Sequence, residues 1–116
     1  MVIDIHYHLF DEAFHHPEMW DGIAQLCVSF APRERPVTME EAKANFLPRM
    51  FDPTGEVTVR NLDGWGVDVA AVVAVDNELL HGRGPAGIEG QNKAIASAAR
   101  RFPDRLVAAW KRPAHA

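Results

Sequence analysis

Short apolar runs alternate with amphipathic stretches along this chain, and the alternation predicts its elements. Val2–Ile5 is an apolar run that ends at His6-Tyr7-His8 and predicts a first strand. From about Leu9 to Met50 no single period holds. An aromatic, histidine-bearing stretch (Phe10, Phe14, His15, His16, Trp20) leads into a segment punctuated by Pro32 and Pro36. Pro17 suits the first position of a helix over Glu18–Leu26. Thr38-Met39-Glu40-Glu41 is a capping-box pattern that opens a second short helix from Met39 to about Phe46, with Pro48 as its stop. Connections this long are usually lids or binding loops, so the excursion is expected to cover whatever the strand end holds.

A regular alternation follows. Asp52-Pro53 predicts the start of a helix running to about Trp65, with Gly66 as its left-handed cap. Val67–Val75 is apolar on both faces apart from Asp68, as in a strand buried between two layers. A turn-rich loop (Asp76-Asn77-Glu78, then His81-Gly82-Arg83-Gly84-Pro85) precedes a helical repeat of Ile88, Gln91, Ile95, Ala98, Ala99 and Phe102. Phe102-Pro103-Asp104 ends that helix, and Leu106–Trp110 predicts a third strand. The order predicts an α/β domain of three parallel strands joined by crossover helices, with residues 9–50 as an insertion after the first strand.

Composition narrows the function classes. The chain has 116 residues, the size of one domain, with 47% hydrophobic and 24% charged residues, ordinary values for a globular protein. A net charge of −4 offers no basic face for nucleic acid and no polybasic patch for a membrane. The longest apolar run, Val69–Val75, is far short of the ~20 residues a bilayer span needs. No charged leader and apolar segment precede the first strand, so a cytoplasmic location is expected. The lone Cys27 excludes an internal disulfide framework and reads as a packing residue.

The candidate chemistry sits at the end of the first strand. Residues i and i+2 of a strand project to one face, so His6 and His8 can converge on one divalent cation, zinc being the expected one. Asp4, two residues earlier, is expected on the same face in a supporting hydrogen-bonding role, and Tyr7 on the opposite face under a helix. Arg49, at the end of the excursion, is a candidate for holding a substrate carboxylate through its bidentate guanidinium. His81 is a second substrate-binding candidate, because Asp76, Asn77, Glu78 and His81 follow the C-terminal end of the second strand. Lys111, Arg112 and His115 follow the third strand in the same sense. His15 and His16 are expected to be solvated loop residues, and Trp20, Trp65 and Trp110 packing residues. The glycines at 82, 84, 87 and 90 fit no phosphate-binding pattern and read as turn and helix-entry residues.

VIDIHYHLF resembles the first barrel strand of the amidohydrolase superfamily, whose H-x-H pair supplies two metal ligands. NLDGWGVDVAAVVAVD and NKAIASAARRFPDRLVAAW resemble that family's first helix and second strand, then its second helix and third strand, including the FPDR turn. The branch it looks most like contains aminocarboxymuconate semialdehyde decarboxylase and related aromatic-acid decarboxylases and hydrolases, which carry a long insertion after the first strand. The resemblance implies the first part of a (β/α)8 barrel, with His6 and His8 as metal ligands. It also implies a metal-dependent hydrolase or non-oxidative decarboxylase acting on small carboxylated or aromatic molecules. Such barrels typically need ~250 residues, and the family's further ligands and acid/base histidine come from later strands, to which nothing here corresponds. The chain is therefore expected to be inactive alone. Two alternatives remain: a non-catalytic fragment or interaction subdomain that could form a homo-oligomer, and a metal-dependent phosphoesterase, since D-x-H-x-H strand ends also open such barrels.

Overall fold

The computed structural model describes residues 1–109. The third strand's predicted last residue, Trp110, and the candidates Lys111, Arg112 and His115 lie outside them. Three strands, β1 (Ile3–Tyr7), β2 (Val69–Val73) and β3 (Leu106–Ala109), form one parallel sheet in the order β1-β2-β3. The connections carry the helices α1 (Pro17–Phe30), α2 (Met39–Glu41), α3 (Glu56–Trp65), α4 (Glu78–His81) and α5 (Gly87–Arg101). This is the mixed α/β order that the apolar pattern predicts. No helix among the described residues is long and apolar enough to cross a membrane.

Each boundary has a local cause. α1 starts at Pro17, and the ring Nδ1 of His16 accepts from the Glu18 amide, so His16 is the helix cap. Thr38 Oγ1 accepts from the Glu41 amide at 3.1 Å, as the capping pattern requires. Beyond α2 the chain widens into a π-helical turn (Ala42–Phe46) and then tightens into a 3-10 turn (Leu47–Met50). Pro48 therefore does not stop the segment: it occupies the first turn of the 3-10 stretch, where its missing N–H costs nothing. The helix expected from Asp52-Pro53 begins only at Glu56. Gly55 turns into it at φ 83°, and the buried Asp52 carboxylate caps it from outside by accepting from the amides of Val57 and Thr58 and from the Thr58 hydroxyl. Gly66 ends it at φ 68° in the expected left-handed cap.

Two apolar clusters result. One lies between the sheet and its helices: Ala70, Val72 and Leu106 meet Leu62 of α3 and Ile88, Ile95 and Ala98 of α5, with Tyr7 against them. The other holds the excursion together around Trp20 and Ala24 of α1, with Ala42, Leu47, Phe51 and Cys27. Trp20 packs as expected, whereas Trp65, at the end of α3, is 63% exposed and supports no core. Among the described residues, the apolar side chains on the sheet face away from the helices are exposed. Ile3, Ile5 and Val107 are 53%, 83% and 53% exposed there.

Candidate functional site

The end of β1 is irregular, and the irregularity positions the histidines. Asp4 pairs with Ala70 and Tyr7 with Val72, so three steps along β1 match two along β2. The extra residue is a bulge, and Asp4 Oδ1 holds it by accepting from the His6 amide at 2.9 Å. Of the two supporting roles expected for Asp4, orienting a ligand or a structural hydrogen bond, its bond to the backbone fits the structural one. It shapes the strand that presents the rings, rather than orienting either ring.

The two imidazoles converge. His6 Nε2 and His8 Nε2 are 3.0 Å apart, with the rings nearly perpendicular at 85°. His8 Nδ1 lies 2.7 Å from the Val73 carbonyl at the end of β2. A carbonyl only accepts, so His8 carries its proton on Nδ1 and presents a lone pair at Nε2. In the free protein His6 Nε2–H donates to that lone pair. This is the usual outer-shell arrangement of a histidine ligand, with one nitrogen bonded to backbone and the other free for a cation. Tetrahedral zinc with bonds of about 2.0–2.1 Å sets its nitrogens roughly 3.3–3.4 Å apart, within a few tenths of an ångström of the observed spacing. The exposed ring of His6 can move its proton to Nδ1 to free its own lone pair. Among the described residues, no group of three or more His, Cys, Asp or Glu side chains is placed to hold a metal ion. The pair accordingly offers two ligands.

A cavity of about 390 Å³ opens beside the pair, with Arg49, Phe10 and Asn61 on its wall as well. The excursion thus delivers Phe10 and Arg49 to the histidines, as its length suggested. Arg49 sits in the exposed 3-10 turn with its guanidinium 5.7 Å from the Phe46 ring centroid. His81 is not on this wall. It ends α4, a helix where a loop was expected, and its charge acts on His15 instead.

His15 is the residue that sequence reasoning misplaced. It is 1% exposed rather than solvated, packed edge-on against Trp20 at 5.5 Å and tilted against Phe10 at 6.0 Å. Its Nδ1 lies 3.2 Å from Asn77 Oδ1, and its Nε2 has no protein partner among the described residues. Burial pushes its pKa below the ordinary histidine value, helped by the charges of His8 and His81 and opposed by the Asn77 bond. No local signal marks it, because the partners that bury it lie 5 to 62 residues away.

Comparison with known protein families, curated proteins and solved structures gives no match for this chain.

Proposed function

We propose that this chain carries the H-x-H half of the metal site of a metal-dependent hydrolase or non-oxidative decarboxylase acting on small carboxylated or aromatic molecules. Its three strands would then be the first three of an amidohydrolase-like (β/α)8 barrel. One observation carries the reading: two imidazole Nε2 atoms 3.0 Å apart at the C-terminal end of a parallel strand, one of them set in its tautomer by the Val73 carbonyl. Barrel enzymes keep their chemistry at that end of the strands. A divalent ion bound there, zinc first among candidates, would activate water or polarise a substrate oxygen. His6 and His8 hold it, and the remaining ligands and the proton-transfer group come from outside the described residues. Arg49, on the same cavity wall, binds the substrate carboxylate, and Phe10 supplies an apolar surface for a planar substrate body. The test is zinc titration of the purified protein by calorimetry. Binding that is lost in both His6→Ala and His8→Ala supports the reading; no zinc binding, or binding indifferent to both substitutions, overturns it.

A second reading, a non-catalytic α/β unit that works by pairing with another chain, is favoured by the exposed apolar sheet face, on which Ile5 of the edge strand β1 is the most exposed residue. Parallel sheets normally have both faces covered.

A further inference from the structure

The histidine pair is half of a coordination set, and the groups around it do not complete that set. Structural zinc is almost always held by four ligands in a tetrahedron. His6 and His8 supply two nitrogens, and among the described residues no third His, Cys, Asp or Glu is placed to join them. Two carboxylates near the pair have other tasks. Asp52 shares the cavity wall with the histidines, but it accepts from the amides of Val57 and Thr58 and from the Thr58 hydroxyl. Asp4 Oδ1 accepts from the His6 amide. Arg49, on the same wall, is a cation with no lone pair to give.

The half-set is also open to a second molecule. β1 is an edge strand of the sheet. His6 is exposed, and so is Ile5 immediately before it. A second copy of the chain carries what is missing, in the geometry that the ion requires. The two Nε2 atoms span one edge of a tetrahedron, and a two-fold axis through the ion can carry that edge onto the opposite one. Two-fold dimers are the commonest oligomers, and they set the same patch on both sides of the contact. Two His6/His8 pairs related in this way surround one ion with four imidazole nitrogens. Charge favours the arrangement as well. Neutral imidazoles leave the ion its two positive charges, and each chain it joins has a net charge of −4.

We propose that a zinc ion is held between two copies of this chain by His6 and His8 of each, so that metal binding and dimerisation are linked. The proposal rests on the reading of the pair as metal ligands and names the partner that completes the set. The exposed Ile5 of each copy, next to His6 in the chain, supplies apolar surface for the contact.

Chelator-treated protein is titrated with zinc by calorimetry, and the same protein is followed by sedimentation equilibrium with zinc and with chelator. Saturation is expected at one ion per two chains. Zinc at about ten times its dissociation constant should tighten the dimer by about tenfold. His6→Gln should abolish the effect of zinc on association and leave the zinc-free association as it is. One ion per chain on a monomer overturns the shared site and leaves the metal reading of the pair intact, whereas no zinc binding overturns both. Association that is equal with and without zinc, or that zinc still tightens in His6→Gln, also overturns the shared site. Should His6→Gln fail to fold, the stoichiometry and the zinc dependence of the unsubstituted protein decide the question.

Discussion

Burial of one imidazole, His15, makes stability depend on pH. Its folded-state pKa is lowered, first by desolvation and then by His8 and His81, so the folded protein binds fewer protons there than the unfolded chain. Stability from His15 is complete above the unfolded value of about 6.5 and is lost as pH falls from there through the folded value. Urea midpoints should drop between pH 8 and pH 5.5, and His15→Phe should shrink that drop; an unchanged drop would mean that other groups cause it. The surface pair behaves differently. Losing an outer-shell partner typically weakens a metal site 10–100-fold, so removing either direct ligand, in His6→Ala or His8→Ala, should cost at least about tenfold in zinc affinity. A shared side for the His6 and His8 rings was expected from the i, i+2 rule of a strand, and the rings do converge, but the bulge that contains His6 is part of what positions them. Asp4 follows the same rule in the sequence, but the bulge between Asp4 and Tyr7 breaks it, and nothing local announces a bulge. His15 has its polar partner in Asn77, 62 residues away, which no window around it contains.

Among elements, the two glycines bounding α3 separate backbone strain from packing. Gly66 has φ 68° and open space around a would-be Cβ, so Gly66→Ala should cost only the left-handed penalty, about 1–2 kcal/mol. Gly55 has φ 83° and a would-be Cβ 2.9 Å from Leu106 Cδ1 and 3.2 Å from Ala98 Cβ. Overpacking typically adds about 1–3 kcal/mol, so Gly55→Ala should lose roughly 2–5 kcal/mol. Chemical denaturation of both variants checks the difference; equal losses would show that the contacts relax freely. Gly66 was readable because it directly follows a periodic stretch. The start of α3 was not, since Asp52 caps the helix across an intervening turn, accepting at Val57 and Thr58 instead of at the next residues. α4 was missed because four residues are too few to show a period. β2 and α5 were readable because their apolar positions are dense: Ala70 and Val72 on one, Ile88, Ile95 and Ala98 on the other, all buried.

At the scale of the molecule one feature is not explained by its parts: among the described residues, the parallel sheet carries helices on a single face. Ile3, Ile5 and Val107 stand on the other face at 53%, 83% and 53% exposure. Sheets of this kind are found covered on both sides, and contiguous exposed apolar surface on a soluble protein marks a contact region. The protein is therefore expected to associate through this face as its concentration rises. Fully burying one isoleucine side chain contributes roughly 1.5–3 kcal/mol. In a two-fold dimer every substitution occurs twice, so Ile5→Lys should weaken association by roughly 3–6 kcal/mol, two to four decades in the dissociation constant. Leu79→Lys is the control, because Leu79 is 78% exposed on α4, away from the sheet, and the same charge there should leave association unchanged. Sedimentation equilibrium across a range of concentrations reads all three proteins. A monomer throughout, or equal weakening by both substitutions, would show that the bare face does not drive self-association, and that its exposure must be explained by a partner of a different sequence.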